Sequence, residues 1–434
     1  MPRAPVLPAT AATLFCVVLA HPAPAQTASN GTASTTTTDP SIPGPEFVSV
    51  TGARSVSTAS AGTKSPTPLL ETPQSISVVD RAELDLLNAT TLNQALRYTA
   101  GVSPDTRGST GSRYDNLNIR GFQPDQYLDG LKLINSANGY GSAQIDVTRL
   151  DRVEVIKGPA SVLYGQASPG GIVALSSKLP TLSHINQVEA LGGSFGYGQL
   201  DADLGGALTR DRSVLFRIDG VLERGDTEIA HTRTERLSVS PSVRWMPDAR
   251  TDWTLLYAYQ RDPESGSYGA LPLQGTLLPN PYGRIREDLN TTEPDYDRYS
   301  RTENAVTSLF TRDLGGGWSL HQNTRFLHLT TFYRSVSGQG IDPDFRTMER
   351  SADVSNDLVN NTTLDTRVQG GWRTGPVSHA LLFGVDYQHT TQSTALGFDG
   401  TGAPLDVFAP VYGGPVTDAP VDSDTRLDQD QTGL

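Results

Sequence analysis

The chain contains little cysteine, few basic residues and no long apolar run after its first two dozen residues. Its one cysteine, Cys16, lies within an N-terminal segment that has the pattern of an export signal, so the exported chain has neither disulfides nor thiolate chemistry. No later stretch reaches the roughly 18 apolar residues of a membrane-spanning helix. Because 34 Lys and Arg oppose 47 Asp and Glu, a typical nucleic-acid-binding surface is also excluded.

Two common enzyme signatures are missing as well. The seven histidines form no His-Glu-x-x-His pair, and no segment matches the phosphate-binding pattern Gly-x-x-x-x-Gly-Lys-Ser/Thr. We therefore predict that the protein is not an enzyme and holds no covalent cofactor.

The first 25 residues are predicted to be a signal peptide. Arg3 supplies positive charge, residues 9–20 are largely apolar, and small residues at 23–25 suit a cleavage site. Residues 26–70 follow as a Ser-, Thr- and Ala-rich stretch that cannot bury enough apolar surface to order itself, so we predict a flexible periplasmic tether. A short β-prone segment, residues 46–50, interrupts it.

Residues 71–180 are predicted to form a compact mixed α/β domain. Residues 75–79, 152–157 and 172–176 have the composition of strands. Asp80 and Glu83 have capping-box spacing for a short helix. The Asp-Gly pair at 129–130, between short apolar segments, predicts a hairpin turn.

From about residue 181 to the end, the pattern changes to long segments with period-two alternation. Some run well beyond the five or six residues of an ordinary soluble strand, which favours a transmembrane β-barrel over a soluble β-sandwich. The polar stretches between them suit extracellular loops. The clearest apolar faces are Leu237, Val239, Val243 and Trp245; Trp253, Leu255, Tyr257 and Tyr259; and Leu381, Phe383, Val385 and Tyr387.

Five sequence blocks stand out in this part of the chain: residues 71–79 (ETPQSISVV), 118–122 (NIRGF), 127–130 (YLDG), 152–165 (RVEVIKGPASVLYG) and 168–171 (SPGG). In their order and spacing they resemble the plug domain of TonB-dependent siderophore receptors. The resemblance implies a mainly β protein of the Gram-negative outer membrane, in which an N-terminal plug sits inside a barrel of about 22 strands. It also implies import of an Fe(III)-siderophore chelate. The same architecture serves cobalamin, haem and oligosaccharides, and a passive porin or adhesin is a further alternative.

By the same resemblance, Glu46, Phe47, Val48, Ser49 and Val50 form the TonB box. Such a segment adds a strand to a sheet of TonB, which belongs to an energised inner-membrane complex. About 20 residues separate the predicted cleavage site from this segment, which leaves no room for a signalling domain.

Ligand and lock residues follow from matching positions in the family. Arg107, Gln123 and Tyr140 match ligand contacts at the plug apex, where Arg would suit an anionic chelate and Tyr an amphipathic surface. No residue is predicted to bind the metal directly. Arg120 and Lys157 match plug positions that pair with barrel glutamates, and Lys cannot form the bidentate contact of Arg.

The C-terminal end departs from the family pattern. We count about nine barrel strands, and residues 429–434 have the composition of a polar loop, where the family ends in an aromatic strand. Because an open sheet would expose an unpaired edge to lipid, we expect a C-terminally truncated chain with an incomplete barrel.

Overall fold

The structure is a computed structural model that describes residues 58–65, 67–109, 113–134, 136, 139–267 and 269–434. The predicted signal peptide and the predicted TonB box both lie outside the described residues. No helix within these ranges is long and apolar enough to cross a membrane.

The first third of the described chain folds into the plug, residues 58–177. Its central sheet has the strand order β3-β8-β9-β6-β7, with β6 parallel to β9 and the other neighbours antiparallel. Its elements are β1 (Thr58–Ala59), β2 (Thr67–Pro68), β3 (Ser75–Asp80), α1 (Arg81–Leu86), α2 (Leu92–Ala95), β4 (Val102–Ser103), β5 (Asn118–Ile119), β6 (Asp125–Leu128), β7 (Leu131–Lys132), β8 (Leu150–Lys157), α3 (Ser161–Tyr164) and β9 (Gly171–Ser177).

Local sequence signals determine several of these elements. The Asp80 side chain accepts a hydrogen bond from the Glu83 amide, which caps α1 as the spacing predicts. Asp129 and Gly130 both adopt positive φ, at 54° and 80°, and join β6 to β7 as a two-residue hairpin loop. Two left-handed residues in succession define the turn type that Asp-Gly favours.

The plug is ordered earlier in the chain than the predicted tether allows. β1 pairs with β2 inside residues 26–70, and the buried Glu154 carboxylate accepts hydrogen bonds from the amides of Ser60, at 3.1 Å, and Ala61, at 2.7 Å. This segment buries few apolar groups, and the hydrogen bonds from its backbone N–H groups to Glu154 help to order it. Composition does not reveal such bonds.

The rest of the described chain, from Ile185 onward, forms one antiparallel sheet with its loops, the wall. It contains eleven strands within the described residues, and each long strand pairs with the next in sequence. They are β10 (Ile185–Gly192), β11 (Gly198–Ala207), β12 (Val214–Asp226), β13 (Arg233–Asp248), β14 (Thr251–Ser265), β15 (Arg298–Gly315), β16 (Trp318–Ile341), β17 (Thr347–Thr374), β18 (Val377–Asp406), β19 (Val416–Thr417) and β20 (Ser423–Gly433).

The faces of the wall are inverted relative to a soluble sheet. On adjacent positions of β13, Val243 is 43% exposed and Ser242 only 5%. On β18 the outward Phe383 is 61% exposed. An apolar band on the outside and polar residues packed inside are the arrangement of a transmembrane barrel in contact with lipid.

The connections establish which end of the wall faces outward. β13–β14, β15–β16 and β17–β18 are each joined by two-residue turns, whereas residues 266–297 connect β14 to β15 as a long loop. Outer-membrane barrels have short periplasmic turns and longer extracellular loops. The end that carries residues 266–297 is therefore the extracellular end.

The prediction of a polar loop at residues 429–434 was wrong. These residues belong to β20, which pairs with β18 from Leu396↔Ser423 to Asp386↔Gly433, so about nine strands was an underestimate. The strand was missed because its outward residues include Asp428 and Asp430 instead of an apolar row. Asp430 pairs across the ladder with His389 and accepts a hydrogen bond from it at 3.0 Å.

The β6–β7 turn gives a testable pH effect. Burial raises the pKa of the Asp129 carboxyl above its unperturbed value of 3.8. The folded state then binds this proton more tightly than the unfolded chain, so this group's contribution to stability falls as pH rises from about 4 through the raised pKa. Asp129→Asn removes that loss. Its side-chain oxygen can still accept a hydrogen bond from the backbone N–H of Ser177, as Asp129 does at 2.8 Å.

We therefore expect Asp129→Asn to have a higher thermal unfolding midpoint than the parent protein at pH 7 and no advantage below pH 4. Thermal unfolding of detergent-solubilised protein at both pH values measures this. A lower midpoint at pH 7 would mean that attraction to Arg325 and Arg149 outweighs burial.

Candidate functional site

A cluster of tyrosines joins the plug to the wall near the extracellular end. The Tyr140 ring of the plug stacks on Tyr333 of β16, with centroids 4.1 Å apart and 15° between planes. Tyr114 of the plug meets Tyr299 of β15 edge-on, at 5.5 Å. The cluster therefore consists of two tyrosines of the plug and two of the wall, in direct contact.

Main-chain contacts hold Tyr140 in this position. Its amide donates to the Asp357 carboxylate at 2.9 Å, and its carbonyl accepts from the hydroxyls of Tyr114, at 3.1 Å, and Tyr299, at 3.0 Å. Burial raises the pKa of the Tyr140 phenol, and the nearby Asp353 carboxylate raises it further. The phenol is therefore neutral at physiological pH and able to donate a hydrogen bond.

Arg113 adds a buried cation to the cluster. Its guanidinium lies 5.3 Å from the Tyr333 ring centroid and forms an ion pair with Asp297 at 2.9 Å. Its Nε donates to the carbonyl of Gly266 at 3.1 Å. Arg113 thus connects the plug apex to both ends of the long 266–297 loop.

A cavity of about 910 Å³ opens beside this cluster. Tyr299 and Asp297 lie on its edge, and Glu228 of the β12–β13 loop accepts a hydrogen bond from Ser109 of the plug at 3.4 Å. Its volume is within the range of small-molecule sites, and its lining comes from the wall and its loops, next to the plug apex.

The three predicted ligand residues are not in one place. Tyr140 belongs to the tyrosine cluster, and Arg107 is exposed on the β4–β5 loop, two residues from Ser109. Gln123 is exposed and lies after β5 in the chain, directly after the tight turn in which Ile119 pairs with Phe122. None of the three lines the cavity: Tyr140 is joined to its edge through Tyr299, and Arg107 lies two residues from Ser109, which is bonded to Glu228 of the lining.

The two predicted lock residues are neighbours at the base of the plug. Arg120 has φ of 50°, and its Nη1 lies 3.3 Å from where a Cβ on Gly158 would be. Lys157 donates to Ser77 Oγ at 2.8 Å. Burial lowers the pKa of Lys157, and the Arg120 cation lowers it further. Two adjacent cations of this kind would both gain from a carboxylate partner, and that pairing stays a prediction.

A buried charge network joins plug and wall, and no motif in the sequence predicts it. Arg301 of β15 is 1% exposed and contacts Asp262, with Glu303 at 3.2 Å and the plug residue Gln144 at 2.6 Å. Arg236 of β13 pairs with Asp262 at 2.8 Å and with Asp146 of the plug at 3.1 Å. What the sequence does show is that charged residues occupy the strand positions opposite the apolar band. Which of them form ion pairs depends on the register of the strands.

Comparison with known proteins agrees with this geometry. Residues 68–172 match the family model of the TonB-dependent Receptor Plug Domain. The chain is 36% identical over 358 residues to the ferrioxamine B receptor of Salmonella typhimurium strain SL1344, covering 82% of this chain and 51% of that protein. It is 34% identical to the ferrichrome outer membrane transporter/phage receptor of Escherichia coli K12, over 81% of this chain and 50% of that one.

Solved structures share the fold. The closed form of the ferric-catecholate import receptor Fiu from E. coli has a TM-score of 0.74 at 21% identity, over 84% of this chain and 53% of that chain. The chain spans about half the length of the curated relatives it matches.

The chain belongs to the family of TonB-dependent siderophore receptors. The predicted fold, a mixed plug followed by antiparallel strands of a transmembrane barrel, is confirmed. The predicted outer-membrane location is confirmed as well.

Proposed function

We propose that the protein binds a ferric siderophore at its extracellular face and imports it using energy delivered by TonB and its inner-membrane complex. The observation that carries this proposal is the tyrosine cluster, where Tyr140 of the plug stacks on Tyr333 of the wall beside a cavity of about 910 Å³. The cavity is lined by residues of the wall and its loops, and Glu228 on that lining is hydrogen-bonded to Ser109 of the plug, so a ligand there would lie next to the plug apex.

The proposed ligand is an iron chelate of the ferrioxamine or ferrichrome kind, after the two relatives. Organic chelates have apolar surface that packs on tyrosine rings, and oxygens that accept from hydroxyls and guanidinium groups. The chelate is cargo and undergoes no covalent change, so the proposed role is transport and not catalysis.

Residues 46–50 complete the proposed mechanism as the TonB box. They precede β1, whose following residues Ser60 and Ala61 are bound by Glu154 of β8, an interior strand of the plug sheet. A pull on this segment would therefore reach the interior of the plug sheet.

Arg107 provides a test of the ligand site. Arg107→Gln removes an exposed cation on the cavity side, and we expect chelate affinity to fall about tenfold, the typical contribution of one charge-assisted hydrogen bond. Arg250→Gln, at an exposed arginine in the two-residue β13–β14 turn at the opposite end of the wall, is the matched control and should bind as the parent does. Equal affinity of Arg107→Gln and the parent in a tryptophan-fluorescence titration would remove Arg107 from the site.

The ligand class is tested by uptake in the native host. Cells with and without the gene that encodes this chain are given ⁵⁵Fe-ferrioxamine B, ⁵⁵Fe-ferrichrome, radiolabelled cobalamin or haem. The proposal predicts that loss of the gene reduces uptake of at least one siderophore and leaves cobalamin and haem unchanged. Reduced cobalamin or haem uptake with normal siderophore uptake would contradict it.

A further inference from the structure

One hairpin of the plug is held to the wall by an unusual set of contacts. Arg325 of β16 donates from Nη1 to the carbonyl of Leu128 at 3.1 Å, and from Nη2 to the carbonyls of Leu131 and Lys132 at 3.1 and 2.6 Å. Asn323, two residues earlier on the same strand face, donates to the carbonyl of Asp129 at 2.9 Å. Four carbonyls of the β6–β7 hairpin thus bind two side chains of the wall. We call these six residues the carbonyl cradle.

Burial makes the cradle costly to break. Arg325 is 1% exposed, so its charge and the carbonyl oxygens that it contacts are shielded from water. Separating them without new partners would leave a buried cation and several buried acceptors unsatisfied. The hairpin therefore cannot move from β16 by a small displacement.

Wall side chains bind the plug main chain elsewhere too, but at one or two carbonyls each, as Arg301 does at Arg113 and Ser142. Three ion pairs between plug and wall are of a different kind. Lys64 pairs with Asp365 of β17 at 2.5 Å, Arg236 with Asp146 at 3.1 Å, and Arg113 with Asp297 at 2.9 Å. Both partners in each pair are side chains, so a rotamer change can release them. In the cradle one partner is the main chain, and release by the hairpin requires movement of its backbone.

We propose that the β6–β7 hairpin is the fixed anchor of the plug on the wall, and that Arg325 is the positioning residue that keeps it in place during import. The path for the chelate then opens by displacement of plug segments outside the cradle, starting from the β1–β2 segment next to the predicted TonB box. The proposal rests on the import function proposed above.

A disulfide between hairpin and wall tests the anchor directly. A Cβ built on Gly130 lies 3.8 Å from Asn323 Nδ2, and Cys16 is the one cysteine of the sequence. We expect Gly130→Cys combined with Asn323→Cys to import chelate within about twofold of its own reduced form after oxidation, since an anchor need not move. Import that stops on oxidation and returns on reduction would overturn the proposal.

A second tether serves as the contrast. Lys64→Cys with Asp365→Cys, bridged by a short bismaleimide, ties the segment after the predicted TonB box to the wall. We expect this tether to abolish import while surface binding of the chelate persists. Full import by the Lys64–Asp365 tether would also contradict the proposal, because it would mean that this segment need not leave the wall.

Arg325 itself is tested without reference to import. Arg325→Met keeps the side chain's bulk and removes its donors, so hydrogen exchange at residues 125–133 should rise by roughly tenfold or more. Passive uptake of vancomycin, which an intact outer membrane excludes, should rise as well. Arg325→Lys retains the charge and should give a smaller change. Arg367→Met, which removes an inward guanidinium that pairs with Asp365 on its own strand at 2.7 Å, is the matched control.

If Arg325→Met exchanges the backbone hydrogens of residues 125–133 at the parent's rate and excludes vancomycin as the parent does, the proposal that the hairpin is an anchor is overturned. If Arg325→Met fails to fold, Asn323→Ala removes one cradle bond and should raise exchange of the same peptide by a few-fold. Both readouts are independent of the ligand. An anchor confirmed in a protein that takes up no siderophore would contradict the proposed function alone.

Discussion

Replacing Arg301 by Met should lower the free energy of unfolding by about 3–5 kcal/mol, the usual cost of removing one partner from a buried ion pair. The guanidinium is 1% exposed and contacts Asp262 and Glu303 of the wall. It also donates to the plug, at the carbonyl of Ser142 and the Gln144 side chain. A third bond to the plug goes to the carbonyl of Arg113. Without Arg301, two buried carboxylates lose a cation and three acceptors of the plug lose their hydrogen bonds to it.

Denaturant unfolding of the detergent-solubilised protein measures this change. Arg312→Met is the control on the same strand, because Arg312 is about half exposed and its carboxylate partner Asp248 lies 3.6 Å away. Exposed pairs of this kind contribute about 0–1 kcal/mol. Similar losses in both variants would mean that the interior network does not stabilise the plug in the wall.

Deletion of residues 46–50 should reduce siderophore import to background while surface binding of the chelate persists. The segment is the proposed contact with TonB, and without it no energy reaches the plug. Binding persists because the tyrosine cluster and the cavity are built from residues after Thr58.

Deletion of residues 34–38, five residues from the Ser/Thr run of the same tether, controls for length. It should import as the parent does. Import of ⁵⁵Fe-siderophore at 37 °C, corrected for binding at 4 °C, separates the two activities. Unchanged import without residues 46–50 would remove the TonB assignment from this segment.

Local chemistry made much of the plug predictable. The capping contact of Asp80 and the left-handed Asp129-Gly130 turn depend on residues close in sequence, so their geometry follows from type and spacing. The apolar face of β14, with Leu255 outward, was likewise evident from period-two alternation.

Contacts between distant strands were not predictable. Arg301 meets Gln144 across 157 positions, and Arg325 meets Leu128 across 197, so each depends on the register of the wall around the plug.

Membrane insertion of the wall requires lipid contact at its outward face, and two adjacent leucines of β14 provide a test of that contact. Leu255 is 47% exposed and Leu256 only 7%. Spin labels attached to Leu255→Cys and to Leu256→Cys are compared in outer-membrane vesicles for collision with oxygen and with a water-soluble nickel complex. We predict that the label at 255 meets oxygen and excludes nickel, while the label at 256 is shielded from both. Ready access of the nickel complex to the label at 255 would contradict a wall that faces lipid.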